Sequence, residues 1–479
     1  MFNRCVLILL NNEKKILQNY LYNVSYQIVM TILPLATIPY LTRVLGSYNL
    51  GIARYTESVV QILTVFGLLG LVWYSNRIVA YNRQNDRLLS NCFWEIFFMR
   101  IILMICTLVV FGAITLGSEY RDIFPIYIFY IMGTFLDTSW FFTGIEEMKP
   151  VVIRNYIVRI ISTILLFVLI RGRDDMVIYI WLSSLTMFAN SIVIFPFLKS
   201  RLTRVSFKGL NIFRHFLPSL ALFLPQAATQ IYVQCDKVLI KYILKDPSYI
   251  SFYTENEKIA KMPLVLATAL STVLMPRIAF EFKSGNKDRV TKFIRKAFLS
   301  IYLIIAPCCT GLMAVAKNFD LLFLGKEFAD TYPLLISFCP IMIFIGFSNV
   351  TGIQYLVALD RKKELTLSYV TAAVSNLILD ILLIPRIGLY GAVLGTLCAE
   401  FFAFVIQYHY MRKDLGSFHI AGMIIRISIA ALIMGAIVGG LNLLSVGPVL
   451  QLAVQVIAGV LIFLFLMLGS GTIKEVLQL

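Results

Sequence analysis

Long apolar runs separated by short polar segments repeat along the whole sequence. Many of these runs hold about 18 or more residues, which lets an α-helix cross the roughly 30 Å hydrocarbon core of a bilayer. We therefore predict an all-α, polytopic membrane protein with about fourteen transmembrane helices. The predicted spans are Tyr20–Val44, Gly51–Val79, Cys92–Leu116, Ile123–Ile145, Val151–Ile170, Val177–Leu198, Leu217–Leu239, Ser251–Ala279, Ala297–Val315, Tyr332–Ala358, Leu365–Ile384, Leu389–Tyr410, Ile420–Leu443 and Pro448–Leu468.

The segments after the second, sixth, eighth and tenth predicted spans are rich in Lys and Arg. They read NRIVAYNRQNDR, KSRLTRVSFKGLNIFRH, FKSGNKDRVTKFIRK and DRKKE. Because cytoplasmic loops carry an excess of these residues, the pattern predicts that both termini are cytoplasmic. No predicted loop is longer than about 20 residues, so we expect any chemistry to occur between helices.

The basic segment after the sixth span divides the chain. Apolar residues recur there at helical spacing beside Lys208 and Arg214, so we expect this segment to lie on the cytoplasmic headgroup surface. They are Phe207, Leu210, Phe213 and Phe216. The predicted organisation is a cytoplasmic tail (1–19), a first lobe (20–198), the basic linker (199–216), a second lobe (217–410) and an accessory helix pair with the C-terminus (411–479).

The two lobes carry related motifs. Tyr55-Thr56-Glu57-Ser58 and Tyr253-Thr254-Glu255-Asn256 lie 198 residues apart, and each stands in the second helix of its lobe. Six helices per lobe is an even number, so both lobes enter the membrane in the same direction. This predicts parallel repeats that handle a substrate between the lobes.

Composition narrows the class of protein. The chain is 59% hydrophobic with a formal net charge of +16, and in a membrane protein such charge reports cytoplasmic loops and anionic headgroups, not nucleic acid. None of the eight cysteines has metal-site spacing, and the three histidines fall on the predicted cytoplasmic side. With no catalytic constellation, we expect neither an enzyme nor a cofactor or metal.

Charged residues inside the predicted spans are the candidate functional residues. Each costs about 2.5–3.5 kcal/mol on insertion scales, so such residues usually face a bundle interior or a wet cavity. The candidates for substrate binding are Arg54, Glu57, Asp236, Lys237, Glu255, Lys258 and Lys261, and those for ion coupling are Glu57, Glu255 and Asp380. Ion pairing within one helix, as for Glu257 with Lys261, is the structural alternative.

Two N-terminal stretches resemble a known family. They are NYLYNVSYQIVMTILPLATIPYLTRVLGSYNLGIARYTESV and LGLVWYSNRIVAYNRQND, and they resemble the N-terminal signature of Wzx-type O-antigen and polysaccharide repeat-unit flippases. IYVQCDKVLIKYIL and FYTENEKIAKMP resemble the seventh and eighth helices of that family. The family is part of the multidrug/oligosaccharidyl-lipid/polysaccharide (MOP) superfamily.

The resemblance implies a MATE-like, two-lobed fold in the bacterial plasma (inner) membrane. It implies flipping of undecaprenyl-pyrophosphate-linked oligosaccharides, contact with membrane lipids, and a polysaccharide polymerase and chain-length regulator as partners. The first predicted span lacks the Arg-Asp pair of peptidoglycan-precursor flippases, which argues against lipid II as substrate.

Two alternatives remain open. A cation-coupled MATE-type exporter of small molecules would need a smaller, less cationic cavity than the basic residues predict. A membrane polymerase or ligase acting on the same lipid-linked sugars would need a sizeable external loop with catalytic Arg or His, which the predicted topology does not provide.

Overall fold

The computed structural model describes residues 33–416, 418, 420–443 and 446–478, and within them the regular secondary structure is helical. The α-helices are α1 (residues 33–44), α2 (Gly46–Leu68), α3 (Leu71–Asn82), α4 (Asp86–Leu116), α5 (Ile128–Leu136), α6 (Ser139–Gly144), α7 (Met148–Leu169), α8 (Met176–Val193), α9 (Phe195–Leu198), α10 (Phe216–Leu220), α11 (Phe223–Leu244), α12 (Ser248–Lys261), α13 (Leu264–Lys283), α14 (Lys287–Phe323), α15 (Tyr332–Phe338), α16 (Ile341–Ser348), α17 (Lys362–Ile387), α18 (Leu389–Leu415), α19 (Ala421–Gly440), α20 (Pro448–Gly469) and α21 (Thr472–Gln478). A π-helix (Asn349–Val357) follows α16, and short 3-10 turns include Ile212–His215 and Lys326–Thr331.

Eight helical stretches in the described part of the chain are long and apolar enough to cross a membrane. Two further pairs, α2 with α3 and Lys326–Phe338 with Ile341–Val357, qualify if each pair, bent by 43° and 44°, is one span. The all-α membrane fold is therefore confirmed, while the count of fourteen stays a prediction. The first predicted span lies mostly outside the described residues.

The fourth predicted span is broken. Helix α5 ends at Asp137, whose backbone is extended, and α6 starts two residues later. Arg100 of α4 satisfies the carbonyls that the break leaves open, because its Nε donates to Phe135 O (2.8 Å) and its Nη2 to Thr134 O (2.7 Å). Backbone that is not helical is tolerated at membrane depth when protein groups satisfy it in this way.

The chain forms two compact units. The N-unit comprises Tyr55–Gln234 with the described residues before Ile38, and the C-unit comprises Ile38–Arg54 with Cys235–Leu479. Helix α2 therefore contributes its first nine residues to the C-unit and the rest to the N-unit. The predicted lobe boundaries, at 198 and 217, remain a prediction.

The N-unit has an aromatic core. Phe93 of α4 stacks on Trp140 of α6 with ring centroids 5.5 Å apart, and it meets Phe141 edge-on at 5.2 Å. Val79 of α3 and Val151 of α7 complete this cluster. Large rings supply both buried area and preferred stacking geometry, so they fix the packing of these four helices.

The C-unit is built around α14, a helix of 37 residues. One face of α14 packs against α13, α16 and the π-helix, and another packs against α19 and α20. The outer face of α20 is apolar: Val449, Leu461 and Phe465 are each more than 60% exposed. An exposed apolar surface of this kind is suited to contact with lipid hydrocarbon and not with water.

Close backbone contact joins the start of α2 to α12 within the C-unit. A Cβ atom built on Gly51 would lie 1.9 Å from Pro247 O, so only glycine fits there. One turn earlier, Ser251 Oγ donates to Ser47 O at 2.8 Å. Small residues let the two helices approach closely enough for the side chains further along to meet.

We expect Gly51→Ala to destabilise the protein by about 2 kcal/mol, the usual cost of overpacking a filled site. Thermal unfolding in detergent measures the effect. Gly112→Ala in α4 is the matched control, because a Cβ there meets nothing within 4 Å. Equal melting temperatures for the two variants would contradict the contact.

Candidate functional site

Glu255 is the centre of a charged cluster in the C-unit. Its carboxylate is completely buried and accepts hydrogen bonds from Arg54 Nε at 2.8 Å and from Lys258 Nζ at 3.0 Å. Arg54 comes from the end of the α2 segment that packs on α12. One carboxylate therefore contacts two cations.

A second charge pair lies on the same helix. Glu257 pairs with Lys261 at 2.6 Å. Lys237 of α11 is near enough to Glu257 to interact with it electrostatically, and so is Glu400 of α18 with Lys261. Lys237 of α11 therefore lies near the part of α12 that carries Lys258 and Lys261, and the role of these residues in substrate binding stays a prediction.

Asp236 and Asp380 form a buried carboxyl pair. Both side chains are essentially buried, and the two carboxyl groups lie within hydrogen-bonding reach of each other. Thr396 Oγ1 donates to Asp236 Oδ2 at 2.8 Å, and the hydroxyl of Tyr253 donates to the same oxygen. Helix α18 comes this close to Asp380 because residue 395 is glycine: a Cβ there would be 2.0 Å from Asp380 Oδ1.

Several oxygens of this pair have no donor. Asp236 Oδ1 and both oxygens of Asp380 lack a hydrogen-bond partner among the described residues, and so do both amide atoms of the neighbouring Asn376. Two carboxylates this close in an apolar interior do not both stay ionised without a proton or a cation between them. The pair can therefore hold a small cation or share a proton. In the described part of the chain, no cluster of three or more His, Cys, Asp or Glu residues is arranged to hold a metal ion.

Glu57 lies in the N-unit, so it is described apart from the other candidates. Gln61 Nε2 donates to Glu57 Oε1 at 3.0 Å, and Gln234 donates to Gln61 in turn. The related tetrads thus make different contacts: Tyr253 binds Asp236, whereas Tyr55 packs against Tyr120 with centroids 5.6 Å apart.

The C-unit contains an apolar groove of about 650 Å³. Its walls come from α14, α19 and α20, and Ile259, Met262 and Pro263 close it at the end of α12. None of the predicted charged residues lines it. The apolar groove and the charged cluster around Glu255 therefore both include residues of α12. The predicted water-filled cavity stays a prediction.

The basic linker is fixed to the N-unit by Glu95 of α4, which is buried. Glu95 accepts from Arg214 Nη2 at 2.5 Å and from Asn211 N at 2.8 Å, and it contacts His215 Nε2 at 2.9 Å. The other ring nitrogen of His215 contacts the Tyr74 hydroxyl at 2.7 Å. Phe207 and Phe213 remain exposed, and the predicted membrane-surface position stays a prediction.

Burial lowers the pKa of His215 from its ordinary value, and the hydrogen bond to Glu95 only partly offsets this. The unfolded chain then binds a proton at a higher pH than the folded chain, so stability is lost as the pH falls through about 6.5 and below. We expect the melting temperature to drop more between pH 7.5 and 5.5 in the wild type than in His215→Gln. Equal drops would contradict the prediction.

Sequence reasoning missed some of these partners. Thr396 and Gly395 carry no signal in a single sequence, and local spacing does not reveal that Arg54 pairs with Glu255 of another helix. Arg100 and Arg154 were not singled out, although Arg154 pairs with Asp137 at 2.7 Å. An arginine inside an apolar run is a usable signal for such a partner.

Long apolar helices that bury paired charges define a polytopic α-helical membrane protein. The chain belongs to the polysaccharide biosynthesis protein family, whose model matches residues 16–282. The model of the lipid II flippase MurJ family matches residues 151–465 as well. The predicted family and fold are confirmed.

Individual relatives agree with this assignment. A Shigella dysenteriae protein described as a candidate O-antigen transporter is 24% identical over 373 residues, which is 77% of this chain and 92% of that protein. A structure of lipid II flippase MurJ in an inward closed conformation has a TM-score of 0.70 at 19% identity and covers 96% of this chain and all of that one. An inward-facing multidrug MATE transporter of the MOP superfamily has a TM-score of 0.57 at 15% identity, covering 81% and 98%.

Proposed function

We propose that this protein flips undecaprenyl-pyrophosphate-linked oligosaccharide repeat units across the bacterial plasma membrane by alternating access. The observation that carries the proposal is the placement of a cationic cluster and an apolar groove on one helix, α12. A lipid-linked sugar has the matching parts: an anionic pyrophosphate, a polar sugar chain and a long apolar tail.

The pyrophosphate would bind the cations around Glu255. Arg54 offers a planar fork of donors and Lys258 a mobile point charge, which are the two usual protein ligands of phosphate oxygens. Lys258 is about one-third exposed, so its ammonium group is within reach of a ligand. Lys261 and Lys237 extend the positive charge along the same side of α12.

The polyprenyl tail would occupy the apolar groove. Its lining is almost entirely aliphatic and aromatic, with Pro307, Gly311 and Gly459 leaving room along the wall. A tail in this groove avoids water while the headgroup remains with the cations. Transfer of apolar surface into such a groove contributes about 25 cal/mol for each Å² buried.

Ion coupling would reside at the carboxyl pair of Asp236 and Asp380. Binding and release of a proton or small cation changes the charge of a buried site that Tyr253 connects directly to α12. Glu57 and Glu255 are further coupling candidates. Both termini would be cytoplasmic, the protein would act without enzymatic chemistry, and a polymerase and chain-length regulator would take up the product.

Reconstitution tests the proposal. Purified protein in liposomes should move a fluorescent undecaprenyl-pyrophosphate-linked oligosaccharide between leaflets, measured by loss of protection from a membrane-impermeant quencher. A small cationic dye enclosed in the same liposomes should not be exported. Export of the dye without movement of the lipid-linked sugar would favour the MATE-type exporter instead.

We expect Lys258→Ala to reduce complementation of a flippase-deficient strain about tenfold, equivalent to 1.4 kcal/mol of lost headgroup binding. Arg83→Ala is the matched control, because Arg83 makes only an exposed pair with Glu146. Surface polysaccharide per cell is the measurement. A larger loss in Arg83→Ala than in Lys258→Ala would place the headgroup site elsewhere.

A further inference from the structure

Asp320 is a completely buried carboxyl group near the end of α14. Its Oδ1 has no hydrogen-bond partner among the described residues. Its Oδ2 lies 3.4 Å from Thr331 Oγ1. An ionised carboxylate here would lose its hydration shell and gain almost nothing in return, which is among the most costly arrangements in a protein.

The hydrogen bonds of Thr331 decide which partner must be the donor. A hydroxyl has one hydrogen and two acceptor positions. The Thr331 hydroxyl lies 2.8 Å from Phe328 O and 3.4 Å from Asp320 Oδ2, so we assign its one hydrogen to the shorter bond, and Asn256 Nδ2 donates to Thr331 Oγ1 at 3.0 Å. Only an acceptor position is left for Asp320, so the carboxyl group has to supply the hydrogen.

We propose that Asp320 binds a proton in this conformation and releases it when α12 moves. The ligand is a single proton taken up from the aqueous phase at this end of α14, which the predicted topology places outside. The carboxylate becomes a neutral carboxylic acid whose O–H donates to Thr331. This inference stands on the geometry of the C-unit and does not depend on the proposed substrate.

The other polar groups near Asp320 do not neutralise its carboxylate in place of a proton. From α15, Cys339 is near enough to interact, but its thiol donates to Leu335 O at 3.2 Å. From α1, the Arg43 guanidinium donates to Leu322 O, a backbone carbonyl two residues further along. Glu327, in the 3-10 turn, accepts from Ser47 N at 2.8 Å.

Loss of the proton would act on α12. Two donors could turn toward an ionised Asp320: the Thr331 hydroxyl, which contacts Phe328 O, and the Asn256 amide, which contacts Phe252 O and Thr331 Oγ1. Turning the Asn256 amide from Thr331 toward Asp320 would break the 3.0 Å bond that joins α12 to the Lys326–Thr331 turn. Asn256 lies between Glu255 and Glu257, so protonation of Asp320 is connected to the helix that carries the cationic cluster.

Infrared difference spectroscopy of the purified full-length protein tests the proposal. At pH 7 the wild type should show the C=O stretching band of one protonated carboxylic acid that is absent from Asp320→Asn and present in Asp330→Asn. Asp330 is the control because it is an exposed carboxylate ten residues away. The band should shift in D₂O, as expected for an exchangeable proton.

A second variant covers the case in which Asp320→Asn does not fold. Thr331→Val removes the hydrogen-bond acceptor, so the band assigned to Asp320 should move in frequency while its intensity is kept. Identical spectra for the wild type and folded Asp320→Asn would overturn the proposal. A band unaffected by Thr331→Val would also overturn it, because the donor geometry carries the inference.

Discussion

Replacing Asp380 by Asn is expected to lower transport about tenfold or more, equivalent to at least 1.4 kcal/mol, while the protein still inserts in the membrane. Asn has the shape of Asp but cannot take up a proton or balance the charge of a cation. Asp236 then keeps its bonds to Thr396 and Tyr253 but loses the carboxyl partner with which it would share a proton or a cation. The transport cycle would then stop with the carboxyl pair fixed in one charge state.

Two measurements separate this effect from misfolding. Flipping in liposomes, with an imposed pH or sodium gradient, should respond to the gradient in the wild type and not in Asp380→Asn. Glu364→Gln, near the start of the same helix, is the control for a neutralised carboxylate outside the pair. Gradient-driven flipping by Asp380→Asn at the wild-type rate would remove the pair from the coupling mechanism.

The all-helical membrane fold was predictable because hydrophobic run length reports directly on the bilayer. The charges of α12 were predictable as well: Glu255 with Lys258 and Glu257 with Lys261 follow from helical spacing alone. Their partners from other helices were not. Arg54 meets Glu255 across 201 positions of sequence, and local periodicity contains no information about such contacts.

The broken helices show the same limit. Hydropathy predicts one continuous span over Ile123–Ile145, yet the chain breaks at Asp137 because Arg154 pairs with its carboxylate and Arg100 binds the exposed carbonyls. Unsatisfied backbone groups are costly in hydrocarbon, so the local sequence alone does not predict a helix break inside an apolar span. The break is stabilised by Arg100 of α4 and Arg154 of α7, and the positions of these two helices follow from the tertiary fold.

Replacing Glu255 by Gln is expected to lower the free energy of unfolding by about 3 kcal/mol, near the lower end for breaking a buried ion pair. Glu255 is completely buried, and its loss removes the carboxylate that both Arg54 Nε and Lys258 Nζ contact. The expected loss of unfolding free energy stays at the lower end of the range for buried ion pairs because Lys258 is partly exposed and can turn toward water.

The melting temperature of the purified protein measures this effect, and Glu475→Gln is its control. Glu475 pairs with Arg426 through two 3.0 Å bonds, but both side chains are about 40% exposed, so the loss of that pair should change stability little. The exchange of Arg54→Glu with Glu255→Arg should recover part of the lost stability, because it restores opposite charges at the same two positions. If Glu255→Gln melts like Glu475→Gln, the cluster is solvated in the native protein, and an anionic headgroup would then gain little from binding there.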